Sequence, residues 1–152
     1  MKILYLDDSL QESTAFIRWF SLKYPNHEIV LTRDLVSFHD YFFGESFDRY
    51  ILDLSIEPPI EIDDAIYNSF VQNELGIQRG TRLKSSIEII GWDYFSTVMR
   101  EKASIDLSHI MLKSGYADII EKEWPDEPWK PAVLLCKGAD DYKEKLAEFL
   151  KN

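Results

Sequence analysis

The stretch KILYLDD, residues 2–8, decides how this chain is read: Ile3, Leu4, Tyr5 and Leu6 form an unbroken apolar run that ends in the aspartate pair Asp7 and Asp8. A short apolar run without polar alternation is the pattern of a strand buried on both faces. A carboxylate pair at its carboxyl end then places charge at the edge of a sheet. The form recurs in RYILDLSI, residues 49–56, where the run reaches Asp53. HEIVLTRD (27–34), HIMLKS (109–114) and AVLLCK (132–137) supply three further strands.

Helical spacing fills the intervals. Phe16, Ile17, Phe20 and Tyr24 lie on one side of QESTAFIRWFSLKY, which Pro25 and Asn26 stop. Residues 34–43 place Leu35, Phe38 and Phe42 together, and GWDYFSTVMREK does the same with Tyr94, Phe95, Val98 and Met99. YADIIEKEW is a short helix, and the last segment sets Tyr142, Leu146, Phe149 and Leu150 on one face. Five strands alternating with helices predict an α/β fold: a doubly wound, five-stranded parallel sheet with helices on both faces. Pro58 and Pro59 interrupt this order, and EIDDAIYNSFVQNEL predicts an acidic amphipathic helix before the region Gly76–Gly80. WPDEPWKP, residues 124–131, is expected to be a packed connection.

Composition narrows the function. The 152 residues suit one core and one domain, and the formal charge of -10 repels phosphate backbones and anionic membranes. Neither nucleic acid nor a membrane is the expected partner. RGTRLK, residues 79–84, holds three basic side chains and reads as solvated surface. One cysteine, Cys136, excludes a disulfide within the chain, and the three histidines show no HExxH spacing. There is no GxxxxGK[ST] phosphate loop, and the tryptophans form no basic aromatic stripe. The start MKILYLDD is too short and too acidic for a signal peptide, and no run approaches the roughly 20 apolar residues of a membrane span. A soluble, cytoplasmic chain in a reducing compartment is expected.

In an open α/β sheet the carboxyl ends of the strands meet at one ligand-binding edge. Asp7, Asp8 and Asp53 therefore converge although they are far apart in sequence, and three like charges call for a cation. All-oxygen ligation suits Mg2+, which keeps several waters and binds phosphate oxygens as well. The alternative is that these aspartates only end strands or cap helices. Ser114 and Lys137 also fall at predicted strand ends, where a hydroxyl and an ammonium suit a transferred phosphoryl group. An aspartate can itself take that group as an aspartyl phosphate.

With those residues in place, KILYLDD (2–8), YILDLSI (50–56), IMLKSGYAD (110–118) and VLLCKG (133–138) resemble, in order, the motifs of response-regulator receiver domains of two-component systems. The resemblance implies the flavodoxin-like receiver fold over residues 1–152 as a single domain, with approximately residues 60–90 inserted on the active-site side. It implies phosphoryl acceptance at Asp53 from a histidine kinase or histidine phosphotransfer protein. It also implies Mg2+ held by Asp7, Asp8, Asp53 and the Ser55 carbonyl, with phosphate contacts from Ser114 and Lys137. Asp8 is expected as the more direct ligand of its pair, with Asp7 acting through water. Three features depart from the family: Gly138 follows the lysine where proline is common, Leu134 stands at the aromatic switch position, and the insertion lengthens the span between Asp53 and Ser114. Tyr116 either shields the water that approaches the acceptor or packs its loop against Trp92 or another aromatic residue.

The leading expectation is a phosphoryl-accepting signalling receiver that changes its interactions with a downstream protein partner. The alternative is a phosphorylation-independent, receiver-like protein-binding module. A Mg2+-dependent phosphatase using an aspartyl phosphate is the third possibility. Phe16, Phe20, Phe42, Phe43 and Phe47 are expected as core or partner-facing packing residues, and Asp63, Asp64, Asp140 and Asp141 as caps or solvated charge.

Overall fold

The apolar run at the amino terminus forms strand β1 (Lys2–Leu6), whose residues alternate between two cores. Ile3 and Tyr5 face one side, Leu4 and Leu6 the other, so both faces of the strand are covered. This is a computed structural model, and it describes residues 1–151. The chain continues through α1 (Leu10–Lys23), β2 (Glu28–Thr32), α2 (Leu35–Gly44) and β3 (Arg49–Asp53). After the insertion come α4 (Ile90–Tyr94), carried on by π-helical turns to Lys102, then β6 (Ile110–Ser114), α5 (Ala117–Glu123), β7 (Val133–Cys136) and α6 (Tyr142–Lys151).

The five long strands are parallel in the order β2-β1-β3-β6-β7. Strand order reverses between β1 and β3, the point at which doubly wound sheets open a crevice beyond their carboxyl ends. Asp7 and Asp53 stand at that crevice. One layer, α1 and α6, packs Phe16, Phe20, Leu146, Phe149 and Leu150 against Ile3, Tyr5, Ile51, Met111 and Leu135. The opposite layer seats α2, α4 and α5 on Leu4, Leu6, Leu52 and Leu112. Each such side chain contributes about 1.5–3 kcal/mol by burial.

The insertion is ordered into α3 (Asp64–Ser69), π-helical turns at Phe70–Glu74, and a small antiparallel hairpin, β4 (Arg82–Leu83) and β5 (Ile87–Glu88). Leu75, Ile77, Leu83 and Ile89 sink into the core shared by α2, α4 and α5. Asp93 of α4 accepts from the amide and hydroxyl of Thr81 at 2.8 and 2.6 Å, and Lys102 Nζ donates to the Leu75 carbonyl at 2.6 Å. The insertion is thus fastened to the α2–α4–α5 side of the sheet. Asp63 caps α3 through the Ala65 amide, as its position in the sequence suggested.

WPDEPWKP is the packed connection expected: Trp129 is buried, and Trp124 stacks on Trp92 with ring centroids 4.9 Å apart. Phe43 is 60% exposed on the outer side of α2, where its ring meets those of His39 and Phe42 with centroids 4.9 Å away in each case. No helix among the described residues is long and apolar enough to cross a membrane.

Candidate functional site

The register of the sheet sets the site. Asp53 is directly across from Lys113, and Ser114 from Cys136, so the last residues of three strands line up at one edge. The turn after β1 delivers Asp7, and the turn after β7 delivers Lys137. That second turn needs Gly138 in the left-handed region, φ +80°, where a Cβ is strained. Just before it, the Lys137 amide donates to the Ser114 carbonyl at 3.1 Å.

Asp53 is nearly sealed from solvent, 3% exposed, and Asp7 is fully buried. Lys137 Nζ donates to Asp53 Oδ2 at 2.5 Å and to Glu12 Oε2 at 2.7 Å. Burial pushes the Asp53 carboxyl up to about 6, against the pull of the Lys137 ammonium and with the help of the Asp7 charge. Burial also works against the ammonium of Lys137, but its bonds to Asp53 and Glu12 prevail and hold it above the usual lysine value. Asp53 Oδ1 accepts from the Ser55 amide at 3.2 Å.

Three carboxylates, Asp7, Glu12 and Asp53, bring oxygens within 4.8 Å of one another. Asp8 stands outside that group because its Oδ2 accepts from the Glu57 amide at 2.8 Å, tying the β1 turn to the loop after β3. In this arrangement Asp7 comes close to Asp53, and Asp8 accepts from the neighbouring loop. Glu12 was not among the expected residues. Its signal was present in Ser9-Leu10-Gln11-Glu12, a helix-start pattern in which Ser9 Oγ accepts from the Glu12 amide at 3.2 Å. Glu12 would ordinarily reach back to the Ser9 amide. Asp7 Oδ1 takes that amide at 2.9 Å, and Glu12 pairs with Lys137 instead.

Ser114 is buried, and its Oγ accepts from the Tyr116 amide at 2.9 Å, leaving the hydroxyl proton free to donate. Ser55 Oγ is buried with no hydrogen-bond partner among the described residues, an orphan beside Asp53. Tyr116 is 40% exposed, and Trp92 stacks on Trp124. Leu134 lies buried in the α2–α4–α5 core. A hard-oxygen trio with one orphaned hydroxyl beside it is chemically suited to a hydrated Mg2+ and a phosphoryl group.

No family model matches this chain. No curated protein shows significant similarity to it either. Its fold is that of solved receiver domains. The response regulator TrrA from Thermotoga maritima, solved in complex with Mg(2+)-BeF, aligns at 17% identity over 97% of each chain with a TM-score of 0.50. The non-phosphorylated HemR receiver domain from Leptospira biflexa aligns at 12% identity over 99% of this chain and 90% of its own, TM-score 0.57. The bacteriophytochrome response regulator AtBRR aligns at 12% identity over 99% and 89%, TM-score 0.61. The chain thus has the flavodoxin-like receiver fold with an extra segment between the third strand and the following helix.

Proposed function

We propose that this chain, on its receiver fold, is a signalling module that accepts a phosphoryl group on Asp53 and changes its protein interactions as a result. One observation carries the proposal. At the switch point of the sheet, Asp53 is bridged by Lys137 and faces Asp7 and Glu12, with Ser114 on the adjacent strand. An Asp53 oxygen attacks phosphorus, the bond to the donor breaks, and a histidine-containing donor leaves as the imidazole. Lys137 transfers its hydrogen bond from the carboxylate to an incoming phosphoryl oxygen, and the hydroxyls of Ser55 and Ser114 donate to others. Asp7 and Asp53, with Asp8 and the Ser55 carbonyl from the flanking turns, would hold Mg2+, which supplies charge neutralisation for the transferring oxygens. The partners of this chemistry are a histidine kinase or phosphotransfer protein upstream and a protein target downstream.

Ser114 links arrival of phosphate to the surface. Turning its Oγ toward the phosphoryl group breaks the bond from the Tyr116 amide and loosens the start of α5, whose Glu123 holds the insertion at the Lys84 amide. The near-complete burial of Asp53 supports a second reading, a receiver-like binding module that works without phosphate. Incubation with acetyl phosphate, with and without Mg2+, separates the two on a phosphate-sensitive gel. A shift in the wild type that disappears in Asp53→Ala supports phosphoryl acceptance, and no shift in a folded wild type supports the second reading.

A further inference from the structure

Lys113 occupies a strand position where its neighbours Met111 and Leu112 are wholly buried, and it is itself only 4% exposed. Its ammonium donates to Tyr5 Oη at 2.7 Å and lies 4.8, 4.7 and 5.7 Å from the ring centroids of Tyr5, Phe16 and Tyr142. Among the described residues it has no carboxylate within ion-pair distance, even though Asp53 is its register partner across the sheet. Instead the tyrosine passes the charge on: the Tyr5 hydroxyl donates to Asp7 Oδ2 at 2.6 Å.

A buried ammonium is costly, and an apolar residue of equal length would remove that cost. Phosphoryl acceptance already has its cation in Lys137, which reaches Asp53 and Glu12 but makes no bond to Asp7. Among the described residues, the carboxylate of the fully buried Asp7 accepts only from the Ser9 amide on Oδ1 and the Tyr5 hydroxyl on Oδ2. Lys113 polarises that hydroxyl and strengthens its hold on the carboxylate. Each of these bonds occupies one of the lone-pair sites through which Asp7 could face a metal ion, and the ammonium repels an arriving cation.

We propose that Lys113, acting through Tyr5, is a resident counter-cation of the acid cluster that competes with a divalent cation for Asp7 and sets the cation affinity of the site low. This rests on the proposed site for a divalent cation. Lys113 is a positioning residue, since it touches neither the acceptor nor the cation. Its effect is to make the module depend on Mg2+ concentration, with the site balanced internally when the cation is scarce.

The test is a calorimetric Mg2+ titration of wild type, Lys113→Met, Lys113→Gln, Tyr5→Phe and the Lys113→Met/Tyr5→Phe double variant. Lys143→Met serves as control, because Lys143 lines the same groove beside Trp19 without joining the chain of bonds. Folding of each variant is verified by circular dichroism. Removing the ammonium is expected to tighten Mg2+ binding about ten-fold in both Lys113 variants. Tyr5→Phe also tightens it, and the double variant gains less than the product of the single effects. Lys143→Met leaves affinity unchanged. Unchanged or weaker binding in the Lys113 variants, fully multiplicative effects with Tyr5→Phe, or no Mg2+ binding by any variant overturns the role of Lys113. Phosphate incorporation is scored in parallel. Its absence alongside the expected affinity pattern counts against phosphoryl acceptance and leaves the role of Lys113 standing.

Discussion

A Cβ placed on Gly91 would lie 2.5 Å from the carbonyl oxygen of Asp53 and 2.7 Å from the Cα of Leu54. The first turn of α4 therefore rests directly on the backbone of the candidate acceptor, and the Gly91 amide donates to the Leu54 carbonyl at 2.9 Å. The chain leaves β3, runs through the insertion, and returns to this one point.

Gly91→Ala is expected to destabilise the protein by about 1–3 kcal/mol, because the methyl meets backbone that has no rotamer with which to yield. Urea unfolding measures this. The variant should also accept phosphate more slowly, since the displaced backbone belongs to Asp53 itself. Wild-type stability in Gly91→Ala would contradict the close approach.

Asp53→Asn is expected to stabilise the protein at pH 7.5. The folded carboxyl is raised to about 6 from its ordinary value of 3.8, so between those values the folded state binds more protons than the unfolded state. Stability contributed by this group therefore rises as pH falls through about 6 and is lost again as the carboxylate ionises. Removing the charge relieves a cost of about 2 kcal/mol at neutral pH, while Lys137 keeps Glu12 as its partner. Thermal unfolding from pH 4 to 8 should show a flatter profile in Asp53→Asn than in the wild type.

Lys137→Met leaves Asp53 without its ammonium and raises the carboxyl further. A loss of about 1–3 kcal/mol is expected at pH 7.5, smaller at pH 5 where Asp53 is protonated in either protein. Phosphate incorporation should fall at every pH. Equal losses of stability at the two pH values would contradict the pairing.

Asp93→Ala removes the acceptors of both the Thr81 amide and the Thr81 hydroxyl, just before the hairpin. The expected cost is about 1–3 kcal/mol. Limited proteolysis should then cut within residues 57–90 before the remainder of the chain. Cleavage elsewhere first would show that the Asp93 bonds are not what fastens the insertion.

The sheet was readable because apolar runs such as KILYLDD and RYILDLSI carry their own boundaries, and strand ends in an α/β fold converge regardless of sequence distance. Asp7, Asp53, Ser114 and Lys137 were accessible for that reason. The separation of Asp7 from Asp8 was not, since it depends on one bond from the Glu57 amide, and adjacent residues look equivalent before the turn is built. Glu12 was hidden by its ordinary place in a helix start. Lys113 and Tyr5 were concealed inside apolar runs, where only register shows that they share a face with Asp53 and Asp7. The insertion offered a helix and a glycine-bounded region, but its anchors at Asp93 and Lys102 are long-range contacts.

The most direct measurement is the chemical identity of residue 53 after treatment with a small phosphodonor and Mg2+. Borohydride reduction converts an aspartyl phosphate to homoserine, which peptide mass spectrometry locates. Homoserine at position 53, dependent on Mg2+ and absent without donor, is the predicted result. An unmodified Asp53 in folded, Mg2+-treated protein, or homoserine at Asp7 or Asp8 instead, would contradict Asp53 as the acceptor.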